Sequence, residues 1–121
     1  MTIKKLQKAH DLIARSVSLR IDASGNRVSV FQDGLKRAKK LEENVSAFID
    51  NPATSMADKA RAAQFSYSVM SSLLRFLLDS SGEAILGPDY DMLEFARLRA
   101  STLKAAEAAR VRFAQLAFHY R

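Results

Sequence analysis

No cysteine occurs in the 121 residues. Disulfides, thiolate zinc sites and a cysteine nucleophile are therefore excluded. Tryptophan is absent as well, and His10 and His119 are the two histidines, which leaves little from which to build a transition-metal site. Four glycines and two prolines are too few for the frequent turns of a β-sandwich or barrel. The longest apolar concentration, Tyr67 to Leu78, is broken by Ser68, Ser71, Ser72 and Arg75 and is too short to span a bilayer. The first eight residues carry the basic charge of an export signal, but Lys8, His10, Asp11 and Arg15 interrupt the apolar stretch that should follow. The expectation is a cytoplasmic chain with no membrane contact. No glycine-rich phosphate loop, no Gly-x-Ser-x-Gly elbow and no internal repeat is found.

What is present suits one globular domain over 1–121. Hydrophobic residues make up 48% and charged residues 26%, enough apolar material to offset the chain entropy of a chain this long. The net charge is +6, which favours anionic partners. It is unevenly spread. Residues 1–40 hold ten basic and three acidic residues, a net +7. Residues 41–96 hold three against nine, a net −6, and residues 97–121 hold six against one, a net +5.

Apolar residues at spacings of three and four predict an all-α fold, a four-helix bundle with helices over about 2–17, 27–49, 55–79 and 91–120. Ile3, Leu6, His10, Ile13 and Val17 share a face of the first helix, with Thr2 as its N-cap. Val28, Phe31, Leu35, Ala38, Leu41, Val45 and Phe48 line the second. Residues 17–31 carry a competing pattern. Val17, Leu19 and Ile21 alternate with polar residues, Ala23-Ser24-Gly25-Asn26 is turn-like, and Val28 and Val30 resume the alternation. That pattern reads as a short β-hairpin at 17–31. Asp50-Asn51-Pro52 ends the second helix. Ser55-x-x-Asp58 caps the third, and Gly82 suits the left-handed position that would end it. Met56, Ala60, Ala63, Tyr67, Met70, Leu74 and Leu77 form one stripe of this third helix. Ala62, Phe65, Val69, Leu73 and Phe76 form another beside it, so it is the central helix.

The last helix has two apolar stripes. Phe95, Leu98, Thr102, Ala106, Ala109, Phe113, Leu116 and Tyr120 make the expected core face. Leu93, Ala96, Ala100, Val111, Ala114 and Phe118 lie well around the helix from it. A terminal helix of a monomeric bundle needs one stripe, so the second calls for another surface. That surface is the 18–31 segment, a second copy or a foreign protein. Arg99, Arg110 and Arg121 recur every eleven residues as a basic column.

Asp89, Asp91 and Glu94 at the start of this helix read as capping and dipole-matching acids, not a cation site. Glu42-Glu43 reads as a solvated face, and His10 as a core-boundary residue. No metal and no cofactor are expected. Lys4, Lys5, Lys8, Arg15, Lys36, Arg37, Lys39 and Lys40 occupy polar faces of the first two helices. They form a candidate surface for phosphates if those helices are neighbours.

The functional expectation is a non-enzymatic helical interaction module. It self-associates through the C-terminal helix and offers a basic surface to an anionic partner. The alternative is a nucleic-acid-binding protein, although no helix-turn-helix spacing or exposed aromatic run accompanies the charge. A third reading comes from Arg112 and His119, which stand with six residues between them near the end of a helix. This pair resembles the Arg-x(4–6)-His element of the HEPN family, small helical bundles that include dimeric ribonucleases. The resemblance covers eight residues and implies His119 as general acid–base and Arg112 as phosphate-binding group. The polar residue that often follows the family's arginine is here Phe113.

Overall fold

The structure, a computed structural model, describes the backbone of residues 2–22 and 27–120, and the side chains within them other than those of 16–30, 119 and 120. The described residues form five helices and no strand: α1 (Ile3–Asp22), α2 (Arg27–Asp50), α3 (Met56–Leu78), the short α4 (Gly82–Leu86) and α5 (Met92–Tyr120). The all-α expectation holds, and the four long helices correspond to the four expected ones.

The hairpin at 17–31 is not formed. Residues 17–22 complete α1 and residues 27–31 open α2, while the turn-like residues 23–26 lie outside the described set. The physical reason is cooperativity. Each residue added to an existing helix gains a backbone hydrogen bond at little further entropy cost, whereas an isolated two-stranded hairpin is marginal in water.

Capping residues set the helix ends. The amide of Lys5 donates to Thr2 Oγ1 at 3.3 Å, and that of Asp58 to Ser55 Oγ at 3.2 Å. The amide of Leu93 donates to Asp91 Oδ1 at 2.8 Å, which supports the capping role of the acids before α5. Gly82 does not end α3. That helix closes on Asp79 in ordinary right-handed geometry, and Gly82 instead becomes the first residue of α4. Its missing side chain matters for packing. A Cβ there would come within 2.8 Å of the Cε2, Cδ2 and Cζ atoms of Tyr90, whose ring in turn meets that of Phe95 edge-on at 6.0 Å. The left-handed glycine is Gly87, at φ 99° after α4. Gly82→Ala should therefore cost about 1–3 kcal/mol through overpacking. A thermal melt of the variant checks this, and an unchanged melt would mean that Tyr90 swings away freely.

α3 is the shared element. It packs against α1, α2 and α5, and α1 and α2 pack on each other. Leu6, Ile13, Phe31, Leu41, Val45, Val69, Leu73, Leu77 and Ile85 are buried around it. Phe31 stacks on Phe76 with centroids 6.1 Å apart. Full burial of each large side chain contributes roughly 1.5–3 kcal/mol. α5 lies along α3 and buries mainly small residues there, Thr102, Ala106 and Ala109, with Phe113 stacked on Tyr67 at 6.1 Å. Its approach to α3 is close, but the apolar area it commits to the core is modest for its 29 residues.

Candidate interface on the C-terminal helix

The second stripe of α5 faces solvent. Leu93 is 57% exposed, Val111 39% and Phe118 76%, and Ala96, Ala100 and Ala114 are exposed as well. None of the described side chains covers it, and the side chains of 18–30, the intramolecular candidate for the second surface, lie outside the described residues. The structure adds a member that sequence reasoning missed, Leu103, at 56% exposure. Leu103 and Glu107 fill the gap between Ala100 and Val111. The series then runs 93, 96, 100, 103, 107, 111, 114, 118 with steps of three or four throughout. That regularity was the available signal. It was hidden because Glu107 interrupts the apolar pattern.

Glu107 is forked by Arg110, which donates from Nε at 3.1 and 3.2 Å and from Nη2 at 2.5 Å. These contacts hold the Glu107 carboxyl below the ordinary glutamate value and raise Arg110. A shallow depression of about 840 Å³ runs along this face, lined by Ala100, Leu103, Lys104, Glu107, Ala108 and Val111 among others.

On the flank of α5 towards α2, a groove of about 740 Å³ separates the two helices and shares Ala108 and Arg112 with that depression. Leu35, Ala38, Met70, Leu98, Ala105 and Ala109 line it, with Lys39 and Glu43 also contributing. One polar cluster bridges this groove. Arg112 Nη1 and Nη2 donate to Glu42 Oε1 and Oε2 at 2.7 and 2.8 Å, a bidentate pair. Ser46 bonds both Glu42 and Arg112 at 3.2 Å, and Ser66 of α3 donates to Glu42 Oε2. Three helices are thereby tied together at one carboxylate. Burial pushes the Glu42 carboxyl up, but hydrogen bonds from Arg112, Ser66 and Ser46, with the charge of Arg112, outweigh it. The net is a carboxyl held below its ordinary value. Arg112 Nε is buried without an acceptor among the described residues. The reading of Glu42 as part of a solvated face is thus corrected, while Glu43 is exposed as expected. Glu42 stands beside the apolar stripe of α2, on the flank that α5 approaches, and no sequence signal identifies that flank.

The Glu42 pair also engages the arginine to which the HEPN resemblance assigns phosphate binding. The side chain of His119 lies outside the described residues. His10 is a boundary residue joining α1 to α3. Its Nε2 meets Ser68 Oγ at 3.0 Å, its Nδ1 meets Asp11 Oδ1 at 2.9 Å, and its ring lies 5.2 Å from that of Phe65.

All eight candidate cations on α1 and α2 are exposed. Arg37 is paired with Asp33 at 3.1 Å, and Lys39 lines the α2–α5 groove. The two helices pack together across a four-residue connection, which makes them an antiparallel pair. Residues 36–40 then stand level with about residues 9–13 of α1, between Lys8 and Arg15. Among the described residues, no cluster of histidine and acidic side chains has metal-site geometry. No described helix is long and apolar enough to cross a membrane. No family model, curated protein or solved structure matches the chain.

Proposed function

We propose that the chain is a non-enzymatic helical interaction module that self-associates through the outward face of α5. The observation that carries this reading is the run of exposed Leu93, Leu103, Val111 and Phe118 along a helix whose inner face already packs on α3. Scattered exposed hydrophobics are ordinary, but a continuous stripe on one helix marks an interaction surface. Helix-on-helix docking is the mode such a stripe suits, with anchors at spacings of three and four. The α2–α5 ion pair supports the assignment, because together with the Phe113–Tyr67 contact it fixes α5 to the bundle and so holds the outward stripe in place.

Sedimentation across a wide concentration range tests the reading. The expected result is a reversible rise from monomer towards dimer. A monomer at the highest attainable concentration would overturn it.

The basic surface of α1 and α2 is assigned to an anionic partner, with nucleic acid as the alternative function. Exposure of all eight cations, with four of them level with the interval between Lys8 and Arg15, favours a merged positive surface. Binding to generic DNA or RNA that falls steeply with added salt would support the alternative. No binding at low salt would remove it.

A further inference from the structure

We propose that two copies meet through α5 in antiparallel orientation, about a two-fold axis level with the Ala105–Ala106 peptide, with Lys104 of each copy beside Glu107 of the other. This inference rests on the reading of α5 as a self-association face and specifies its partner and register.

The stripe is self-complementary. Reversed about that level, Leu93 falls opposite the partner's Phe118, Ala100 opposite the partner's Val111, and Ala96 within one residue of the partner's Ala114. Leu93 and Phe118 are exposed at 57% and 76% in the single chain and lose part of that exposure in the pair. A two-fold contact of this kind closes on itself and leaves no open chain of copies.

Charge decides between the two orientations. Glu107 sits in the middle of the stripe, and Lys104 borders it one turn earlier. In a parallel pair at equal register, Glu107 would face its own copy along the seam, and Lys104 would face Lys104. Like charges held together in a contact are destabilising. In the antiparallel pair, Lys104 is level with the partner's Glu107, and the two-fold repeats the contact. Four charges of alternating sign then surround the axis. The Glu107 carboxylate has capacity for this in addition to Arg110, since it carries about four acceptor sites.

The area is consistent with a dimer. α5 has 29 residues and is roughly 43 Å long. A contact along that length buries on the order of 1,000 Å² in total, the lower edge of specific interfaces.

The absence of cysteine in the chain makes the register directly testable. Ala100→Cys and Val111→Cys chains are mixed in equal amounts and oxidised, with circular dichroism melts to confirm that both are folded. The antiparallel pair brings the two introduced thiols within disulfide reach, so the mixed disulfide should exceed either homotypic one by about fivefold or more. Predominant homotypic disulfides would overturn the antiparallel register while leaving α5 as the interface. Dimers in sedimentation with no disulfide from either chain would overturn the register and the face together. Absence of dimers would remove the self-association reading itself. As a second measurement, Lys104→Glu should raise the dissociation constant about tenfold and Glu107→Lys likewise. The double exchange should restore most of the affinity, because the exchanged charges attract again. Additive weakening in the double variant would overturn the contact.

Discussion

Replacing Leu103 and Val111 together by aspartate should leave the fold standing and weaken self-association by at least about a hundredfold. Both side chains are exposed in the single chain, at 56% and 39%. Their loss therefore removes little from the core, and surface changes of this kind usually alter stability by no more than about 0.5 kcal/mol each. In the proposed dimer the same change removes apolar contacts near the centre of the seam. It also adds two carboxylates per copy beside Glu107, so four new like charges enter one contact. A hundredfold loss corresponds to about 2.7 kcal/mol, which lost burial and charge repulsion together readily supply. Sedimentation of the variant beside wild type measures it. A variant that dimerises as well as wild type would show that the association uses another surface. A variant that melts early would show that these residues serve the fold instead.

The second large effect concerns Arg112. Removing its guanidinium leaves Glu42 half-buried between Ser46 and Ser66 without its countercharge. A fully buried pair broken this way costs 3–5 kcal/mol. Here the side chains are 27% and 40% exposed, so Arg112→Ala should cost about 1–3 kcal/mol. The loss has a definite pH signature. The Glu42 carboxyl is held below its ordinary value in the folded chain, so its contribution is fully present above the unfolded value. It disappears as pH falls through the folded one. Wild type should therefore lose this component in acid, and the gap between wild type and Glu42→Gln should narrow as pH drops from neutral to about 3. Urea melts of both chains at the two pH values provide the check. A gap independent of pH would mean that Glu42 acts through shape alone. Arg112→Met paired with Glu42→Gln should recover part of the loss, because no charge is then left unpaired.

Much of the helical framework is readable in the sequence, for a physical reason. Periodicity and capping are local. Thr2, Ser55 and Asp91 act within three residues, and the stripes on α3 repeat through its whole length. Leu73 and Phe65 were readable as core because α3 is apolar on most sides and so must be enclosed. The competing pattern at 17–31 shows the limit of local reading. Alternation over a few residues fits a strand, but continuing a helix that already exists is the cheaper outcome. Gly82 shows another limit. A glycine after a helix suggests a left-handed end, whereas here the constraint comes from Tyr90, eight residues on.

The candidate site was legible in outline. The doubled apolar character of α5 follows from side-chain order alone, because a rigid helix displays its residues at fixed angles. Leu103 escaped notice because a charge at 107 interrupts the pattern. Glu42 and Arg112 are seventy residues apart, and each looks like an ordinary solvated charge when read along its own helix.

From its residues alone, this protein is committed to long capped helices, to a central α3, and to a last helix apolar on two flanks. Each of these follows from propensity and period, which act over a turn or two. Only the tertiary structure decided which flank of α5 meets α3 and which faces outward, and that Glu42, Ser66 and Arg112 share one polar junction. Those outcomes depend on how separate helices pack, and packing joins residues between which the chain order records no relation.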